Sequence, residues 1–123
     1  MSRDTVDPKK TALLFFDMLN AYFRGSTEEN QRQMEPVVAN CVKIRAAAYA
    51  AGIPVFYAKA DHRPDGLDSS HILSDTDYTL TPWPDPDKGF TTPYRTVAAA
   101  DWRGEVIDEL APAPGDYIVA KHR

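Results

Sequence analysis

Two ionisable residues in this 123-residue chain stand where apolar runs stop. Residues 12–16 are uninterrupted apolar and give way to Asp17; residues 117–120 are a second such run and give way to Lys121. An unbroken apolar stretch of this length reads as a strand buried on both faces, as in parallel sheets. The carboxyl ends of such strands line the ligand crevice of open α/β sheets. A carboxylate at the end of a buried strand is not there for packing, and both residues would sit at the edge where chemistry happens. Taken singly, each has a plainer reading. An aspartate after a strand often opens a loop, and a lysine at a strand end usually reaches for solvent.

Other chemistry-bearing residues form weaker patterns. Cys41 is the single cysteine, so no internal disulfide can form. It falls on a helical stripe with Met34, Val37, Val38, Ile44 and Ala48, which predicts a thiol packed against the sheet as a small hydrophobe. Asp61, His62 and His71 hold metal-ligand types. The first two are adjacent, and neighbours leaving a strand point to opposite sides, so no metal is expected. His62 directly follows a predicted strand and can face the site. Phe23, Trp83, Phe90, Tyr94 and Trp102 are candidate aromatic walls for a small planar ligand, with ordinary packing as the competing role. Arg95 could meet a carboxylate, although a solvated surface arginine is the better reading. No glycine-rich phosphate loop or zinc-type cysteine spacing occurs.

The elements that position these residues follow from pattern. A polar arm occupies residues 1–9, and the first strand runs over 11–16. Residues 18–29 read as the loop above it, with Gly25-Ser26 as a turn. A helix is expected to enter at Glu35-Pro36, since proline suits a first turn, and to stop at Gly52. Residues 53–60 read as the second strand, with Pro54 at its start. Strand, helix and strand joined this closely make a βαβ unit. Five prolines break up residues 61–100, a length typical of lids, binding loops or interfaces. Asp101 then caps a helix carrying Trp102, Val106, Ile107 and Leu110 on its apolar side, and residues 117–120 form the third strand.

With the residues in place, a resemblance emerges. Leu13-Leu14-Phe15-Phe16-Asp17-Met18-Leu19-Asn20, with Phe23 following, resembles the opening strand of isochorismatase-like cysteine hydrolases, a family that includes small-amide amidohydrolases. Glu105, Val106, Ile107, Leu110, Pro112, Gly115-Asp116-Tyr117 and Lys121 resemble that family's approach to its catalytic lysine. The resemblance implies a three-layer α/β/α domain with a parallel sheet, of which this chain holds the first three strands. It implies that Asp17 and Lys121 are two members of an Asp-Lys-Cys triad that cleaves a C–N bond. Asp17 would take the thiol proton, and Lys121 would steady the developing charge. Phe23 matches an aromatic pocket position in relatives. The family's nucleophile lies beyond the lysine, so Cys41 is not it.

Residues 1–123 are therefore expected to be a single, incomplete domain of a longer protein, its second piece a separate chain or otherwise supplied. Two alternatives stay open: a vinyl-ether hydrolase of the isochorismatase type, which lacks the cysteine, and a catalytically incomplete module that binds a partner through its sheet edge. The formal charge of −4, with both signs interspersed, gives no nucleic-acid footprint, and no run approaches a membrane span. The first residues lack the apolar core of a signal peptide, which predicts a cytoplasmic protein. A small-molecule substrate, no cofactor and a homo-oligomer complete the expectation.

Overall fold

The computed structural model describes residues 4–61 and 101–121. Three strands, β1 (Leu13–Phe16), β2 (Val55–Ala60) and β3 (Tyr117–Lys121), form one sheet in the order β1-β2-β3, every pairing parallel. Between β1 and β2 the chain makes a short helix α1 (Asn20–Phe23) and a long helix α2 (Glu28–Ala50). Two 3-10 turns, Trp102–Gly104 and Asp108–Leu110, precede β3. The α/β class with a parallel sheet is the one read from the sequence.

The register sorts side chains onto two faces. Phe15 aligns with Tyr57 and Ile118, while Phe16 aligns with Ala58 and Val119. On the first face Phe15, Val55 and Tyr57 pack with Val38 and Ala48 of α2 and with Ile107 and Leu110. The Phe15 and Tyr57 rings lie 5.5 Å apart in a tilted pair. Each large apolar side chain so buried contributes about 1.5–3 kcal/mol. The other face is open: Leu14 is 57% and Phe16 59% exposed, and Tyr117 and Val119 are similarly bare. The sequence reads β1 as buried on both faces; among the described residues its second face is uncovered. Among the described residues, helix covers one side of the sheet only.

Helix α2 begins seven residues before the expected Glu35-Pro36 entry. Thr27 accepts a hydrogen bond from the Asn30 N–H, and Glu28 and Glu29 occupy the first turn, where the helix dipole favours negative charge. Pro36 lies inside the helix instead of at its start. Both Pro36 and Arg32, whose carbonyl loses its donor, are on the exposed side where solvent can serve it. The helix stops where Gly52 takes φ +68°, as expected. Met34, Val38, Cys41 and Ala48 face the core, but Val37 and Ile44 are exposed, so the apolar stripe is narrower than read.

The segment from Asp101 is not the expected helix. Asp101 does cap, accepting from the Arg103 N–H, yet Glu105 is extended and Val106 bridges Leu19 in antiparallel fashion. Tertiary pairing of a β-branched residue overrides a weak helical signal already carrying Gly104. Ile107 and Leu110 reach the core, while Trp102 stays exposed. Arg45 ties this region to α2 by donating to the carbonyls of Glu109 and Ala111 and to the Tyr57 hydroxyl.

Candidate active site

Asp17 is the last link of β1 to the sheet: its N–H donates to the Ala58 carbonyl at 2.9 Å. Its φ is then +53°, the single left-handed non-glycine residue among those described. Aspartate tolerates that region better than most side chains, because its short polar group can bond locally. The chain behind it turns sharply, with the Leu19 N–H reaching back to the Asp17 carbonyl at 2.8 Å. Strain of this kind gathers where a side chain must be aimed.

Three hydrogen bonds hold that turn from the other side. The Ile107 N–H donates to the Met18 carbonyl, the Asn20 N–H to the Glu105 carbonyl, and Asn20 Nδ2 to the Trp102 carbonyl. Asn20 is only 4% exposed, a buried polar side chain in the first turn of α1. Sequence reasoning gave it no role beyond its place in a motif. The remaining signal was its type, since a polar amide beside the apolar Leu19 has to find a partner once buried. At the far end of α1, Arg24 donates to Glu35 at 2.7 Å and pairs with Glu109, joining α1 to α2 and to the turn before β3. The hydrogen bond to Glu35 and the Glu109 charge raise the Arg24 pKa further.

Lys121 closes the arrangement. It is the last residue of β3, pairs in register with Ala60, and its carbonyl accepts from the Asp61 N–H. Its Nζ lies 2.9 Å from Asp17 Oδ2, with the two side chains 25% and 22% exposed. The same Nζ stands 4.8 Å from the centre of the Phe16 ring. Asp17 Oδ1 is buried and makes no hydrogen bond among the described residues. One carboxylate oxygen is therefore fixed by a cation and the other is kept free of donors. A carboxylate so held is an oriented proton acceptor.

The other sequence candidates are placed as follows. Phe23 is 6% exposed in the core with Phe15, Val38 and Leu110, a packing environment and not an open wall. His62, His71, Trp83, Phe90, Tyr94 and Arg95 lie outside the described residues. Cys41 packs against the core from α2, and burial raises its thiol pKa, which keeps the sulfur protonated. No helix among the described residues is long and apolar enough to cross a membrane.

Comparison with known proteins gives a consistent neighbourhood. The isochorismatase domain family matches residues 11–123. The ureidoacrylate amidohydrolase RutB of Pseudomonas syringae pv. syringae is 31% identical over 121 residues, covering 94% of this chain and 49% of that protein. The N-carbamoylsarcosine amidase of an Arthrobacter species is 26% identical over 114 residues, covering 93% of this chain and 39% of that protein. Among solved structures, a cysteine hydrolase from Pseudomonas syringae pv. phaseolicola superposes with a TM-score of 0.66 at 27% identity, over 95% of this chain and 48% of the other. An N-carbamoylsarcosine amidase from Thermoplasma acidophilum gives 0.58 at 26% identity, over 90% and 51%. The chain spans about half the length of the curated relatives it matches.

Proposed function

The chain belongs to the isochorismatase family, and on that premise we propose that it forms part of an amidohydrolase that cleaves a C–N bond of a small carbamoyl or amide compound. The observation that carries the reading is the Asp17 carboxylate, with Oδ2 on Lys121 and Oδ1 buried and unengaged at the carboxyl ends of β1 and β3. The names of the relatives support the bond type, since two of them act on ureido or N-carbamoyl compounds.

In this reading a cysteine thiol from a segment outside residues 1–123 approaches Asp17 Oδ1. Oδ1 takes the thiol proton, sulfur attacks the carbonyl carbon, and the C–N bond breaks as the departing nitrogen receives that proton. A thioester remains. Water then attacks it, giving Oδ1 a proton that returns to the sulfur as the acid product leaves. Lys121 holds Asp17 as an anion and faces the charge that develops during attack. His62, two positions after the last residue of β2 in sequence, would border the substrate, while Phe23 would act from behind through packing. The protein works as a homo-oligomer in the cytoplasm, without nucleic acid, membrane or cofactor.

The intact mass of the protein at its natural length, denatured during turnover of a carbamoyl substrate, tests the reading. An acyl adduct on a thiol outside residues 1–123 supports it. Hydrolysis of a vinyl ether with no turnover of carbamoyl or amide compounds would move the assignment to the vinyl-ether branch, which uses the aspartate without a thiol.

A further inference from the structure

Phe16 and Asp17 are neighbours in sequence, and in a regular strand their side chains would leave opposite faces of the sheet. The left-handed turn at Asp17 breaks that alternation. As a result one atom, Lys121 Nζ, lies 2.9 Å from Asp17 Oδ2 and 4.8 Å from the Phe16 ring centre. The register makes the second contact possible. Phe16 aligns through Ala58 with Val119, and Lys121 lies two residues beyond Val119 on the same face. The separation is inside the roughly 6 Å range over which a ring face attracts a cation.

Among the described residues no other ring pairs with Phe16, and its ring contact is the Lys121 ammonium. Phe16 is 59% exposed on the uncovered face and does not belong to the core cluster. On the same face the Phe56 and Tyr117 rings stack on one another at 4.6 Å, whereas the Phe16 ring meets the Lys121 ammonium. What a phenyl ring offers and a leucine does not is the negative potential of its face, directed at the ammonium.

We propose that Phe16 is a positioning residue for Lys121, its ring face holding the ammonium against the Asp17 carboxylate. The proposal deepens the amidohydrolase reading, on which the use of the Asp17–Lys121 pair rests. A long lysine side chain has four rotatable bonds, and one ion pair leaves it several ways to swing. The ring removes part of that freedom from a second direction, so that Asp17 Oδ1 stays the unengaged oxygen.

The test replaces Phe16 with a graded series of fluorinated phenylalanines, which keep the shape of the ring and progressively withdraw charge from its face. The readouts are the NMR ring-current shift of the Lys121 ε-methylene and the exchange rate of its ammonium protons with water. The ring-current shift should persist through the series, while exchange should quicken by about two- to five-fold from phenylalanine to the most fluorinated ring. Phe16→Leu should lose the ring-current shift and exchange fast, and Phe16→Trp should restore both. Exchange that is flat across the fluorinated series would overturn the proposal, because a merely space-filling ring would give that result. So would equal behaviour of the Leu and Trp variants. These signals do not depend on turnover, so loss of the amidohydrolase reading would leave the ring–ammonium result standing on its own.

Discussion

Replacement of Asp17 by alanine, asparagine and glycine separates the strain at this residue from its charge. All three substitutions delete the ion pair to Lys121, so its loss cancels in comparisons among them. What differs is the cost of holding φ at +53°. A left-handed conformation costs an ordinary L-residue about 1–2 kcal/mol and glycine nothing. Glycine loses more unfolded-chain entropy than alanine, which takes back about 0.5–1 kcal/mol. The remainder favours Asp17→Gly over Asp17→Ala by about 0–1.5 kcal/mol, centred on about 0.75 kcal/mol. Asp17→Asn should fall between them, since asparagine visits this region more readily than alanine. Urea unfolding should place the glycine midpoint above the alanine one by roughly 0.5 M at an ordinary slope. None of the three should support hydrolysis, so the most stable of the set would still be inactive. An alanine variant as stable as the glycine variant would refute the claim that backbone strain is stored at this residue.

Three further outcomes are expected. Asn20→Ala removes the donor to the Trp102 carbonyl from a buried site and should cost about 1–3 kcal/mol in urea unfolding. Arg24→Met breaks the link among α1, Glu35 and Glu109; because both carboxylates are largely exposed, the loss should be about 1 kcal/mol and should shrink when salt is added. Raising the pH should destabilise the fold, because burial raises the Cys41 thiol above its ordinary 9.0. Burial first, and then the 2.6 Å bond to Asp116, raises the Tyr49 phenol above its ordinary 10.0. A group whose folded pKa is raised gives its full stability below the unfolded value and loses it as pH climbs through the folded one. The decline should therefore begin near pH 9 in thermal melts, and Cys41→Ser with Tyr49→Phe should flatten it.

The sheet was legible because β1 and β3 are short apolar runs that nothing polar interrupts until Asp17 and Lys121, and β2 carries a single charge, Lys59, near its end. Gly52 was legible for the same kind of reason, a glycine placed where a helix must end. The start of α2 was not. Pro36 looked like a first-turn residue, and only the Thr27 cap and the exposure of Pro36 and Arg32 explain a helix that runs through it. Val106 and Ile107 carried helical spacing, but the choice between a helix and a bridge to Leu19 depended on a partner 87 residues away in sequence. The pairing of Asp17 with Lys121 was inferred from strand ends and a family likeness, and the two side chains do meet. Phe16 and Asn20 escaped notice because a phenylalanine in an apolar run reads as packing, and an amide after a strand reads as loop. Their roles come from contacts across the fold with Lys121 and Trp102.

The most direct test of the account is ammonia release from a carbamoyl substrate by the protein at its natural length, parent against Asp17→Asn. Asparagine keeps the shape of the side chain and tolerates the turn, but it cannot accept the thiol proton. The account predicts that kcat falls by about 10²–10⁴-fold while KM moves little. A kcat within a few-fold of the parent would contradict it.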